Sequence, residues 1–198
     1  LADLGADIGL IAESRICGEE NHAAAVRGPH EAGYLALSHS AVDAQSSAGP
    51  GRWSSYPSGW AVGVVLAVRI GYVGRWSQVQ RERGIAGNLE FIGGLVGRII
   101  GVYGVTGASL PGFESQVDRV SEETRLARFV RTQTSLCEER GWLAVLMGDI
   151  NSVLDPSLDC WNTTHIRRPA CLASTLPELG LVDSFRSRHA SLQASRTT

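Results

Sequence analysis

The segment Trp142 to Leu154, WLAVLMGDINSVL, constrains the fold more than any other stretch, because its apolar run breaks abruptly at Gly148 into Asp149, Ile150 and Asn151. An apolar run of this length, flanked by Gly141 and Gly148, reads as a buried strand. What precedes it is equally informative. Between Phe113 and Arg140, Val117, Val120, Ala127, Val130 and Leu136, with Phe129 beside them, keep roughly helical spacing. Glu122, Glu123, Arg125, Arg128 and Arg131 take the other face, and Gly141 supplies the stop. Upstream again, Leu95 to Val105 is apolar enough for a strand, interrupted near its start by Arg98. Strand, long helix, strand is an α/β unit, with the helix delivering the chain into WLAVLMGDIN.

The rest of the chain can be placed around that unit. Ala6-Asp7 reads as a turn into a strand of Ile8, Gly9, Leu10, Ile11 and Ala12 that stops at Glu13. Ser14 to Gly59 is rich in Gly, Ser, Ala and His and reads as a long loop, flexible over residues 38–59, with GYLALS at 33–38 as a short edge strand. Trp60 to Ile70, rich in valine and bounded by glycines, is a strong strand. Gly74 to Glu90 is polar and reads as a hairpin and loop. After Asp155-Pro156 a loop leads to a short helix near 169–179 that ends at Gly180, and LVDSF follows. A chain of 198 residues organised this way is expected to be a single α/β domain.

Composition removes several classes of function. The net charge of −2 provides no basic field to draw the whole chain to nucleic acid or anionic membrane, so phosphate binding must be local. All 18 positive side chains are arginine, which more simply reflects coding-sequence composition than selection for phosphate contacts. Cys17, Cys137, Cys160 and Cys171 form no C-x-x-C pair and read as free thiols of a reducing compartment. Asn162-Thr163-Thr164 matches a glycosylation sequon by chance. No apolar stretch approaches the roughly 18 to 20 residues of a membrane helix, so no membrane span is expected. Gly101, Gly104 and Gly107 do not spell a dinucleotide-binding loop. His22, His30 and His39 lack metal-ligand spacing and read as surface residues.

The chemistry-bearing positions sit at strand ends. Asp149 and Asn151 place an acceptor and a carboxamide donor side by side, which suits metal-bound water and a phosphate oxygen. Their plain alternative is an Asx-turn leaving a strand. Glu13, closing an apolar strand, repeats the pattern, and two acidic groups delivered from strand ends are what a hard-cation site requires. Alone, it is a solvated terminus. Tyr103 ends the strand before the helix, where an aromatic is commonly a core residue.

Taken together, the strand ending in Glu13, GVYGV around Tyr103, GDIN at 148–151, Leu158-Asp159 and LPELGLVDSFRSRHA resemble the endonuclease/exonuclease/phosphatase superfamily, the fold of DNase I and the abasic-site endonucleases. The similarity is greatest to the endonuclease domain of LINE-type retrotransposons. It rests on the order and spacing of the motifs over most of the chain. The resemblance implies a two-sheet α/β sandwich with helices outside, and metal-dependent cleavage of phosphodiester bonds in DNA. It further implies that Glu13 binds Mg²⁺ or Mn²⁺, Asp149 orients or activates the attacking water, Asn151 holds a phosphate oxygen, and Tyr103 contacts the phosphate beside the scissile bond. A reverse transcriptase domain in the parent polypeptide and a nuclear location follow from the same resemblance.

The chain also departs from the family. A first-strand asparagine ahead of Glu13 and a C-terminal Asp-His pair are not matched, so the domain is expected to be truncated at both ends, without its first and last strands. Asp183 and His189 match an upstream structural segment of the family, and Val105-Thr106 stand where Pro-Asn is usual. These departures keep two other readings in play: an inactive relic of such a domain, and a phosphatase of the same superfamily. They also lead to the expectation that the chain cleaves DNA feebly or not at all.

Overall fold

Each apolar, β-branched run of the first half forms a strand. The computed structural model describes residues 5–12, 19–39, 64–70, 79–81, 83–90, 93–106, 115–155 and 171–189. Over these it is a mixed α/β structure with two small sheets and several helices. The chain divides into two compact units, one within Leu1–Tyr103 and Thr132–Asp149, the other within Gly104–Arg131 and Ile150–Thr198.

In the first unit, strand β1 (Ile8–Ala12) is followed by helix α1 (Glu19–Glu31), strand β2 (Tyr34–His39) and strand β3 (Val64–Arg69). The three strands make one antiparallel sheet in the order β1-β3-β2. Central β3 is buried from Val64 through Val68, as a valine-rich strand covered on both faces should be. The turn before β1 is tied to this sheet. Tyr34 Oη donates to Ala6 O at 2.6 Å, and Arg69 Nε lies 3.2 Å from Asp7 Oδ1. Helix α1 replaces part of what reads as loop after Glu13. Its sequence, EENHAAAVRGPHE, combines good helix formers with no apolar stripe, so its period is silent although its propensity is not. The 38–59 loop lies outside the described residues apart from Ser38 and His39, which end β2.

The second sheet holds β4 (Val79–Arg81), β5 (Gly84–Glu90), β6 (Val96–Tyr103) and β7 (Leu143–Asp149), in the order β4-β5-β6-β7. The expected hairpin is β4 and β5. Strands β6 and β7 pair in parallel, and helix α2 (Val117–Arg140) connects them. This is the α/β unit read from the sequence, since parallel neighbours need a crossover. At its end Gly141 adopts φ 65°, and Trp142 N donates to Cys137 O at 2.8 Å.

The two sheets share one core. Ile85, Leu89, Ile99 and Tyr103 cluster with Val64, Leu66 and Val68, and Ile8, Leu10, Ala12, Val145 and Met147 pack around them. Approach is close: a Cβ on Gly101 would lie 2.5 Å from Leu10 Cδ1. The alternate residues of β6 point the other way, and there Arg98 is only 1% exposed. Its Nε and Nη2 donate to Gln133 Oε1 of α2 at 2.8 and 2.5 Å, and its Nη1 donates to Oδ1 of Asn88, its cross-strand partner. An arginine inside an apolar run is thus accounted for by an amide from a neighbouring strand and another from the helix. Strand β7 is less buried than its sequence suggests. It lies at the sheet edge among the described residues, and its side chains are half-buried or exposed.

The second unit contains the first part of α2, the segments 104–106 and 150–155, and helices α3 (Cys171–Glu178) and α4 (Ser184–Arg188). Val105 and Ala173 pack with Val120 and Leu154. The buried positions of α2 are Glu123, Leu126, Ala127, Phe129, Val130, Gln133, Thr134 and Cys137, whereas Val117 is 76% exposed. Glu123, expected on the solvated face, is 1% exposed, and its Oε1 accepts from Leu172 N at 2.9 Å in the first turn of α3. A carboxylate there meets amides that have no partner within their helix. Asp183 caps α4, its Oδ1 accepting from Arg186 N at 2.9 Å, which agrees with a structural role for that residue. Among the described residues no helix is long and apolar enough to cross a membrane.

Candidate functional site

Tyr103 is the last residue of β6 and Asp149 the last of β7, and the parallel register makes them partners. Neighbouring strands lie about 4.8 Å apart, and register partners project from the same face. For this pair it is the face that looks into the inter-sheet core, since the Tyr103 ring belongs to that cluster and is 4% exposed. Asp149 itself is exposed at the strand's end.

A third side chain completes the row. Arg83 precedes β5, and its carbonyl accepts a hydrogen bond from Tyr103 N at 2.8 Å. The Arg83 guanidinium carbon stands 5.3 Å from the centroid of the Tyr103 ring, within cation–π range. Cation, aromatic ring and carboxylate therefore follow one another across three adjacent strands at one end of the sheet. Arg83 is half-buried, so it is both positioned and reachable by solvent.

The glycine of GDIN has a backbone reason. Gly148 holds φ 143°, and a Cβ there would lie 1.9 Å from Val102 O on the neighbouring strand. No L side chain fits, and the residue that follows is Asp149. In the second unit a Cβ on Gly104 would lie 1.7 Å from Ile150 O, so the two segments beyond Tyr103 and Asp149 also run in close contact. Asn151 holds φ 51°, a left-handed conformation asparagine tolerates, and its Nδ2 donates to Gly104 O at 3.1 Å. That bond spans the chain rather than closing a local turn. Its effect is to fix the carboxamide against the segment after Tyr103.

Of the four residues singled out from sequence, the structure places Tyr103 and Asp149 together. Asn151 follows two residues later in the other unit, and Glu13 lies outside the described residues. Among the described residues no group of three or more His, Cys, Asp or Glu side chains could hold a metal ion. Magnesium keeps most of its waters and takes only one or two carboxylates plus substrate phosphate, and the oxygen chemistry of Asp149 suits that mode. His30 is exposed in the last turn of α1. Cys137 and Cys171 are free thiols, the first buried and the second exposed.

The expectation of a polar hairpin and loop over Gly74 to Glu90 does not single out Arg83. The signal was the alternation of Ile85, Gly87 and Leu89, which marks a strand face and puts Arg83 at its start. The chain matches no protein-family model and no curated protein.

Proposed function

We propose that this chain is a DNase I-like endonuclease domain of a retroelement polyprotein that hydrolyses phosphodiester bonds in DNA with a divalent metal. The observation that carries the reading is the pairing of Tyr103 with Asp149 at the ends of two parallel strands, which is the juxtaposition the resemblance requires. Two packed sheets with α2 connecting β6 to β7 support it at the level of fold. Asp149 would orient the attacking water, Tyr103 would stand beside the phosphate, and Asn151, held against Gly104, would present its amide to a phosphate oxygen. Glu13 would hold Mg²⁺ or Mn²⁺, which when bound supplies charge neutralisation at the phosphoryl oxygens. If Asp149 also takes the water's proton, a positioned base of that kind contributes about 10² to 10⁴ in rate. Fusion to a reverse transcriptase and a nuclear location belong to the same proposal.

A second reading has its own support. The burial of Tyr103 in the core is what a relic would retain after losing substrate turnover. The two are separated by a plasmid-nicking assay with Mg²⁺ or Mn²⁺, run beside Asp149→Ala and a duplex-binding measurement. Slow nicking that needs the metal and disappears in Asp149→Ala is the expected result. Binding without nicking selects the relic. Nicking that persists in the variant, or a chain that neither binds nor nicks DNA, overturns the nuclease reading.

A further inference from the structure

A phosphodiester brings negative charge to a chain that has no excess of positive charge, so the group that meets it must be local and fixed. At the Tyr103–Asp149 strand end that description fits Arg83. Its main-chain carbonyl is bonded to Tyr103 N at 2.8 Å, and its guanidinium lies over the Tyr103 ring at 5.3 Å. Tyr103 in turn is held by the inter-sheet core, where it packs with Val64, Leu66, Val68, Ile85, Leu89 and Ile99. The ring is thus a rigid shelf, and the half-buried arginine rests on it.

We infer that Arg83 is a further phosphate-binding residue of this site, in addition to Asn151, and that Tyr103 is a positioning residue that holds its guanidinium in place. The inference rests on the reading of the Tyr103–Asp149 end as a phosphodiester site. The chemistry favours arginine here: a guanidinium keeps its charge, stacks flat on an aromatic face, and presents paired N–H donors to phosphate oxygens. Asp149 on the far side of Tyr103 places the carboxylate one strand beyond the ring. A phosphate bound by Arg83 would therefore sit at the strand end that also carries the water-orienting group. The role given to Tyr103 is ring-borne, whereas direct contact through its hydroxyl would be oxygen-borne. The two can be told apart.

The test is fluorescence anisotropy of the full 198-residue chain with a labelled 20-base-pair DNA duplex in EDTA, so that no cleavage occurs, over a salt titration. Each phosphate contact contributes about 0.9 to the slope of log affinity against log salt. Arg83→Gln is expected to weaken binding about five- to tenfold at low salt and to reduce that slope by about one. Arg83→Lys should keep the slope, because the charge count is unchanged, while losing affinity through the lost stacking and paired donors. Tyr103→Phe keeps the ring and should keep the slope. Thermal melting establishes that each variant is folded, and Arg83→Met, which retains the stem over the ring, replaces Arg83→Gln if the latter does not fold. A wild-type chain that binds the duplex while Arg83→Gln shows an unaltered slope overturns the inference alone. So does a Tyr103→Phe affinity lowered as much as that of Arg83→Gln, since only a hydroxyl contact is lost in that variant. A wild-type chain that binds no duplex either in EDTA or with Ca²⁺ in its place overturns the phosphodiester reading and this inference with it.

Discussion

Replacing Gln133 by leucine removes the acceptor for two of the buried N–H groups of Arg98. The structure sets the magnitude. Arg98 is 1% exposed, and burial pulls its pKa down from the ordinary arginine value, so its charge is held where water contributes little. Gln133 is itself buried, and its Oε1 receives both Nε and Nη2, at 2.8 and 2.5 Å. Hydrogen bonds to a charged group are worth about 1.5 to 3 kcal/mol, and removing a partner from a buried charge costs about 3 to 5 kcal/mol. Asn88 keeps its bond to Nη1, so the expected loss for Gln133→Leu is about 3 kcal/mol, at the lower end of that range. Arg98→Met should cost about 2 kcal/mol, since it removes the charge and leaves two acceptors to be rehydrated, one of them on half-buried Asn88. The double variant should be less destabilised than the sum of the two by at least about 1 kcal/mol, because the second change removes groups the first has stranded. The assay is urea unfolding followed by linear extrapolation. The sign of the pKa shift adds a control. A cation whose pKa is lower in the folded state opposes folding at every pH below its titration range, so this group gives no pH dependence between about pH 5 and 9. A Gln133→Leu loss under about 1 kcal/mol, or strict additivity in the double variant, would show that Arg98 is not held in the way described.

Cys137 titrates in the opposite sense. Its thiol is buried, its Sγ donates to Gln133 O at 3.1 Å, and burial pushes its pKa above the ordinary 9.0. The stability this brings is complete below about pH 9 and falls as pH rises towards the folded value, so urea unfolding at pH 7 and pH 10 should show a loss in the wild type that is smaller in Cys137→Ala. Gly148→Ala places a Cβ 1.9 Å from Val102 O at a φ of 143°, and a loss of about 2 to 3 kcal/mol is expected, lowering Tm by roughly 5 to 10 °C. Asp183→Ala removes the cap on Arg186 N, and with the site exposed the cost should be about 1 kcal/mol or less, seen as roughly fivefold faster hydrogen exchange of the α4 amides with Tm nearly unchanged.

The sequence reading succeeded where burial and period agree. Val64 to Val68 lie in a run with no polar interruption, and the run is a central strand. The β6–α2–β7 unit was readable because its two apolar runs are separated by a long segment at helical spacing that ends in glycine. It failed where one kind of signal was present without the other. Helix α1 has alanine-rich propensity but buries no stripe, so counting periods finds nothing. Strand β5 buries almost all of itself but is built on Gly84, Ala86 and Gly87, which carry little hydrophobic weight. Glu123 is expected on the solvated face because charge is a sign of solvent, and Arg98 reads only as an interruption of its apolar run. Each is buried against specific donors or acceptors supplied by residues distant in sequence, and a linear pattern does not contain them.

The site was legible to the same extent and for the same reason. Tyr103 and Asp149 could be paired from sequence because both end strands joined by a crossover, and a parallel crossover aligns like ends of its strands. Arg83 could not, because its relation to Tyr103 is antiparallel and depends on the register of β5 against β6, which the expectation of a hairpin and loop over 74–90 does not specify. Register carries an additional consequence. A one-residue slip of β5 against β6 would send Arg83 to the opposite face from Tyr103, since successive side chains alternate. The register is pinned on that opposite face by Arg98, whose bond to Asn88 forms only when those two residues stand directly across from each other. The buried polar network and the row at the strand end are thus two readouts of one alignment. Breaking Arg98–Asn88 with Asn88→Val should therefore disturb Arg83 over Tyr103 as well as stability, although neither residue of the broken pair lies at that end of the sheet.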